Sequence, residues 1–291
     1  MMVAGNLQNK CCFTLRKGNM KNNDVSSNQS KNLPQYGQKQ VTMINKIKGI
    51  CGDLTGKIIL DMGCDIKGLL VKAIIANFQS VYVYGVNPGI HEDEQTDKYH
   101  LLKQDGTKES KIADSSIDIC ISLAAFEHFH DLPGALREIN RVLKPGGLLY
   151  TEFGPIYSGC WGHHLWIRHN GKDYTYINNP LPPFCHLLMT EESLRQYCIN
   201  SLGHSSDLAN KIADYVFNSE EQNKMYFEDY ERITRDCPLD VLMFSGLQSI
   251  PYKQEYKPEN YALLFDSLRK KYPNNYGFCY NAISMLLIKP F

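Results

Sequence analysis

The most restrictive feature of this chain is residues 57–68, Lys-Ile-Ile-Leu-Asp-Met-Gly-Cys-Asp-Ile-Lys-Gly. Three consecutive apolar residues, Ile58, Ile59 and Leu60, predict a short strand buried on both faces, and Asp61 with Gly63 two positions on predicts that the strand ends in a ligand loop. Glycine lets the backbone turn sharply there and lets a ligand come close. Beyond it, the spacing of Leu69, Leu70, Val71, Ile74, Ile75 and Phe78 suits a helix that opens at Gly68. Strand, tight turn and helix make the first half of a nucleotide-binding βαβ unit. A dinucleotide loop would read G-x-G-x-x-G, whereas Asp65 and Lys67 stand where further glycines would fall. On this segment alone, an ordinary strand-to-helix turn of an α/β protein fits as well.

The flanking sequence extends the pattern. Residues 1–37 are polar and poor in apolar anchors, which predicts a flexible lead-in. Val41, Met43, Ile44, Ile47 and Ile50 predict a helix over 38–50 that packs on the sheet edge. Further strands are expected over 81–86, 99–103, 117–122 and 148–153, separated by a polar stretch at 91–98, a turn at Asp114-Ser115-Ser116 and a helix that starts at Pro133 and stops at Lys144-Pro145-Gly146-Gly147. Strands alternating with helices through short loops mean a mostly parallel sheet covered on both faces. The strand ends Asp61, Asn87, Asp105 and Leu123 then face one crevice, with Asn87 where ribose hydroxyls are held in such units.

Composition narrows the partners. Lys plus Arg equals Asp plus Glu at 31 each, so no whole-molecule field steers the chain toward nucleic acid or an acidic membrane, and the expected partner is a small molecule. No apolar run is long enough to span a bilayer. The ten cysteines are scattered without a C-x-x-C pair, which fits free thiols in a reducing cytoplasm. No Cys/His pair has the spacing of a structural zinc site, and no metal is expected.

Taken in order, Ile59-Leu60-Asp61-Met62-Gly63-Cys64, Gly85-Val86-Asn87, Gln104-Asp105-Gly106, Asp114-Ser115-Ser116-Ile117-Asp118, Phe126-Glu127-His128 and Arg141-Val142-Leu143-Lys144-Pro145-Gly146-Gly147 resemble class I S-adenosylmethionine-dependent methyltransferases, in particular the type 11 methyltransferase domain. The resemblance covers residues 40–153. It implies a Rossmann-like seven-stranded sheet, S-adenosyl-L-methionine as cofactor, and cofactor contacts from Asp61, Gly63, Cys64, Asn87, Asp105, Gly106 and Leu123. Three positions depart from the family: Asp65 and Lys67 replace small residues of the glycine loop, and Asn87 replaces an acid. A non-catalytic binding or scaffold subunit that keeps the fold is therefore the alternative. A nicotinamide-dependent oxidoreductase would need a fuller glycine fingerprint.

The rest of the chain divides into an insertion at 154–237 and a return to the core at 238–291, with a sixth strand over 241–244, a helix over 261–268 and a seventh strand over 282–288. The insertion, about 85 residues, exceeds an ordinary connection and reads as a substrate cap. It carries both tryptophans and a run of histidines, His163, His164, His169 and His186. Aromatics and imidazoles beside a cofactor crevice suit a polar, ring-bearing acceptor and removal of a hydroxyl proton. The Gly162-His163-His164 segment resembles methyltransferases of surface-polysaccharide and secondary-metabolite pathways, implying O-methylation of a sugar or nucleotide-activated intermediate. The candidate bases are His163 and His164, then His128 and His186, with Glu127 or Glu152 as orienting carboxylates. Residues 206–236 have helical periodicity that either completes the cap or offers a homodimer face.

Overall fold

This computed structural model describes residues 38–178, 181–248 and 258–291. The expected lead-in over 1–37 lies outside the described residues. In chain order the elements are α1 (Gln38–Cys51), β1 (Ile58–Met62), α2 (Leu69–Asn77), β2 (Tyr82–Val86), β3 (Glu94–Gln95), β4 (Tyr99–Leu102), β5 (Ile117–Leu123), α3 (Leu132–Val142) and β6 (Leu143–Phe153). They continue with β7 (Trp166–His169), β8 (Lys172–Thr175), α4 (Cys185–Leu188), α5 (Glu191–Asn200), α6 (Ser206–Asn218), α7 (Phe227–Arg235), β9 (Asp240–Gln248), α8 (Pro258–Lys271) and β10 (Tyr280–Ile288).

Eight strands form one sheet in the order β3-β4-β2-β1-β5-β6-β10-β9, with β7 and β8 a separate hairpin. Strands β4, β2, β1, β5 and β6 are parallel, and β10 runs antiparallel between β6 and β9. All seven expected strands are present. The eighth, β3, is a two-residue edge strand in the stretch that reads as polar, and it forms by backbone pairing with Leu101 and His100. Edge strands of exposed polar residues leave no apolar alternation to read. The fifth strand also begins earlier than expected, at Leu143, which pairs with Ile117 ahead of a register shift. Gly146, at φ 76°, lets the strand absorb the irregularity instead of ending there.

The apolar strands are buried on both faces because their side chains alternate. Leu60, Met62, Cys120 and Leu149 pack with Leu136 and Ile139 of α3 and Phe227 and Tyr230 of α7. Ile59, Ile119, Ile121 and Tyr150 pack with Ile47 of α1 and Ile74 of α2 on the other side. Each such Leu or Ile contributes roughly 1.5–3 kcal/mol by leaving water. The sheet is thereby fixed, and its strand ends are held in register.

Residues 206–236 divide between two neighbourhoods. Helix α6 packs with α5 and the β7–β8 hairpin through Leu165, Leu194, Cys198, Leu208 and Ile212. Helix α7 instead covers the sheet, with the Tyr230 ring tilted against that of Phe153, centres 5.0 Å apart. The inserted layer is therefore the hairpin with α4, α5 and α6. Thr190 and Ser193 form a reciprocal capping box that starts α5. Among the described residues no helix is long and apolar enough to cross a membrane.

Candidate active site

Three adjoining cavities form a groove along the C-terminal ends of the strands. The first, about 370 Å³, is lined by Asp61, Gly63, Cys64, Asp65, Leu69, Leu70, Asn87, Leu123 and Ala124, with Lys39, Gln40 and Met43 of α1. The second, about 580 Å³, shares Gly63, Asn87 and Ala124 with it and adds Asp105, Gly106, Thr107, His128, Phe129 and His130. The third, about 220 Å³, shares Met43, Leu123 and Ala124 with the first and reaches Lys46, Tyr150, Glu152, Phe153 and Ala282. The first two fall in the roughly 300–1,000 Å³ range of small-molecule sites. The groove lies where strand order reverses between β1 and β5, the place an open α/β sheet offers a crevice.

All seven residues expected at a cofactor line this groove. Gly63 adopts φ 83°, and a Cβ there would stand 2.5 Å from the Cβ of Ala125, so both the turn and the space require glycine. Asp61 is 3% exposed, and burial, followed by repulsion from Asp65, pushes its carboxyl up to about 7. Asn87 bridges two loops: its Nδ2 donates to the carbonyl of Cys64 at 2.6 Å, and its Oδ1 accepts from the amide of Gly89 at 2.7 Å. Asp105 Oδ1 accepts from the amide and hydroxyl of Thr107 at 2.9 and 2.8 Å. Although desolvation pulls Asp105 up, those hydrogen bonds and the Lys108 charge outweigh it and hold the carboxyl below its ordinary value.

The departures in the glycine loop have a local explanation. Asp65 accepts from the amides of Lys67 at 3.0 Å and Leu69 at 2.8 Å. Its carboxylate thus occupies the first turn of α2, where an anion is favoured. Gly68 precedes the helix at φ 61°. A self-capped acid and one left-handed glycine replace the further glycines of a dinucleotide loop.

The histidines fall into two settings. His128 lines the groove, and its Nδ1 donates to the carbonyl of Glu221 at 2.6 Å, which leaves Nε2 with the lone pair. His164 stands beside it, ring centres 5.0 Å apart, and stacks on Tyr176 at 5.3 Å. Its backbone is left-handed at φ 47°, a conformation that costs on the order of 1–2 kcal/mol for a non-glycine residue. Burial, with the neighbouring His128, pulls His164 down to about 4. His163 and His186 are packed inside the inserted segment at 4% and 5% exposure, with ring centres 6.0 Å apart. His163 Nδ1 accepts from the amide of Leu165, and His186 Nε2 donates to the carbonyl of Tyr157 at 2.7 Å. Burial holds His163 well below its ordinary value and pulls His186 down to about 4. Each ring makes one internal hydrogen bond, and its other nitrogen, Nε2 of His163 and Nδ1 of His186, is buried without a partner.

The two carboxylates considered with them also separate. Glu127 lies beside His128 and His164. Glu152 is paired with Lys46 and accepts from the Tyr150 hydroxyl at 3.3 Å, in the third cavity. The contribution of α1 goes beyond packing on the sheet edge: Lys39, Met43 and Lys46, on one helical face by their three- and four-residue spacing, all reach the groove.

Residues 60–151 match the family model described as "Methyltransferase domain". Over this stretch the sequence is that of a methyltransferase domain. The domain shares 39% identity over 79 residues with "Uncharacterized protein YafE" of Escherichia coli (strain K12), covering 27% of this chain and 38% of that protein. It shares 32% identity over 102 residues with "Sterol 24-C-methyltransferase erg6" of Aspergillus fumigatus, covering 32% of this chain and 26% of that one. The chain therefore spans well under half the length of either relative. Among solved structures, an S-adenosylmethionine-dependent methyltransferase from Mesorhizobium loti superposes at a TM-score of 0.45 and 12% identity, covering 84% of this chain and 96% of that one.

Proposed function

We propose that the chain is an S-adenosyl-L-methionine-dependent methyltransferase acting on a hydroxyl of a small polar acceptor, a sugar or nucleotide-linked intermediate. The observation that carries the reading is that the seven strand-end residues of the methyltransferase domain gather along one groove, with a buried carboxylate and an obligate glycine at its centre. The cofactor supplies an electrophilic methyl group on a sulfonium and carries an ammonium and a carboxylate at one end. The residues present fit it. Asp61, kept from full ionisation by burial, gains a cationic neighbour, Lys39 faces the same cavity with the opposite charge, and Gly63 leaves space that any side chain would fill.

The chain's own residues then orient the acceptor and accept its proton. The third cavity offers the Lys46–Glu152 pair and the Tyr150 hydroxyl for hydrogen bonds to a polyol, between the apolar Met43, Phe153 and Ala282. Of the four candidate bases, His128 lines the groove and, with Nδ1 bonded to the Glu221 carbonyl, keeps Nε2 as the accepting nitrogen, so it is the proton acceptor in this reading. The inserted layer of the hairpin, α4, α5 and α6 serves as the cap that excludes water. A reducing, cytoplasmic setting goes with the described cysteines all being free thiols.

Calorimetric titration of the purified protein with S-adenosylmethionine, and separately with S-adenosylhomocysteine, tests the reading. Binding of both in the micromolar range, followed by methyl transfer to members of a sugar and nucleotide-sugar panel, is the expected result. A folded protein that binds neither overturns it and leaves a non-catalytic binding module with the same fold.

A further inference from the structure

The other concentration of chemistry-bearing groups lies where the turn after β5 meets the loop after β6. One ligand atom each from Glu127, His128 and His164 lie within 4.8 Å of one another. Glu127 is 1% exposed. Its Oε1 accepts from the amide of Gly154 at 3.0 Å, while its buried Oε2 has no hydrogen-bond partner. A buried carboxylate oxygen left without a partner in this way is costly. His164, half-buried beside it, offers an imidazole lone pair. His128 does likewise at Nε2, because its Nδ1 proton is committed to the Glu221 carbonyl, the arrangement that orients metal-ligating histidines.

We infer that Glu127, His128 and His164 form a three-ligand site for a divalent first-row transition ion, zinc or one of its neighbours, with a fourth position open to water or a ligand. Two imidazoles and one carboxylate are a donor set such ions accept. The ion meets the orphaned Glu127 oxygen, displacing any proton held there to solvent, and takes up two imidazole lone pairs. Ligand atoms sharing a tetrahedral ion at roughly 2.0–2.2 Å bonds stand about 3.3 Å apart, so closure from the observed spacing asks for side-chain rotation and no change of fold. The ligands come from two loops 36 positions apart, which is why no local Cys/His spacing announces the site. The inference rests on geometry and is independent of methyl transfer. One lone pair cannot serve twice: with an ion bound, His128 is a ligand, and its role as a base belongs to the ion-free protein.

The test is calorimetric titration of chelator-stripped protein with zinc, paralleled by cobalt(II), whose visible spectrum reports tetrahedral nitrogen and oxygen ligation. One equivalent is expected, bound at least about tenfold more weakly by His164→Gln and by Glu127→Gln, with His163→Gln as a control that keeps the wild-type affinity. Wild-type protein that takes up no zinc, or equal affinity in all three variants, overturns the site. Where a variant fails to fold, the wild type answers alone. Zinc should protect His128 and His164, and not the exposed His91, from carbethoxylation read by peptide mass, and equal modification with and without zinc overturns the inference. Protein that binds S-adenosylmethionine and no zinc keeps the methyltransferase reading while losing this one.

Discussion

Asp61 and the buried histidines of the inserted segment are desolvated alike and respond in opposite directions. Enclosure raises the Asp61 carboxyl to about 7 and lowers His164 and His186 to about 4. Each therefore sheds the charge its residue type implies, since burial always penalises the ionised form. Asp61 is thereby not strongly anionic although Asp65 and Asp105 of the same groove are, and the buried imidazoles are not cationic. What differs is what each then attracts. Asp61 recovers its charge beside a cationic ligand, whereas the neutral imidazoles present lone pairs to protons or metal ions.

The comparison can be broken most sharply at the histidines. On an acceptor found by screening, His128→Asn should lower kcat by roughly 10²–10⁴-fold, the usual contribution of a general base, and leave the Kd for S-adenosylmethionine nearly unchanged. His163→Phe should behave differently. It leaves the Leu165 amide without its acceptor and costs about 1–3 kcal/mol of unfolding free energy, while folded protein keeps its turnover. Parallel loss of kcat and cofactor affinity in His128→Asn would give that ring a structural role and remove the distinction between groove and buried histidines.

The next effect belongs to the glycine two positions after Asp61. Gly63→Val meets the Ala125 Cβ at 2.5 Å and a left-handed backbone together. It should weaken cofactor binding by on the order of 100-fold or more and destabilise the fold by about 1–3 kcal/mol, read by calorimetry and denaturant melts. Asp61→Asn, a milder change, should weaken binding by roughly 10–100-fold through loss of a charge-assisted contact. In wild type, cofactor affinity should fall about tenfold per pH unit below 7, because binding then requires Asp61 to lose a proton. The variant should lack that slope. The unliganded protein shows the converse: the folded carboxyl holds its proton up to about 7, while the unfolded chain releases it near 4, so stability falls as pH rises through that window and is level above it. Asp61→Asn should flatten this limb too.

The smallest effect expected is at Asn87. Asn87→Asp restores the family's acid but removes the donor to the Cys64 carbonyl, so it should cost about 0.5–1.5 kcal/mol of stability. A variant that is more stable than wild type would show that the bridge between the two loops is dispensable.

The parts legible in the sequence are those where one local rule decides. Apolar runs of strand length placed β1, β2, β4, β5 and β6 in order, and the acid and glycine after β1 marked the groove, because a strand buried on both faces leaves a continuous signature. The short edge strand β3 has no such signature. Helix α7 was read together with α6 because both carry helical periodicity, and periodicity says which face is apolar without saying what covers it. The role of Asp65 as a cap for α2 was equally hidden, since an acid in a glycine loop reads as a disruption until its backbone partners are known. The histidines were the least legible. The chain places five of them in the insertion, yet only the folded arrangement separates a ring on the groove from rings buried in the inserted layer.

The position of β10 also bears on the order in which the molecule can be completed. Strand β6 pairs on one side with β5, made shortly before it, and on the other with β10, from Leu148↔Ile288 to Phe153↔Ile283. During synthesis the inserted layer emerges, and can collapse on its own apolar cluster, while one edge of β6 still lacks its neighbour. That bare edge is a template for pairing with any other extended chain until residues 280–288 leave the ribosome. Ribosomal pausing before that stretch should therefore be the step at which this protein most needs a chaperone.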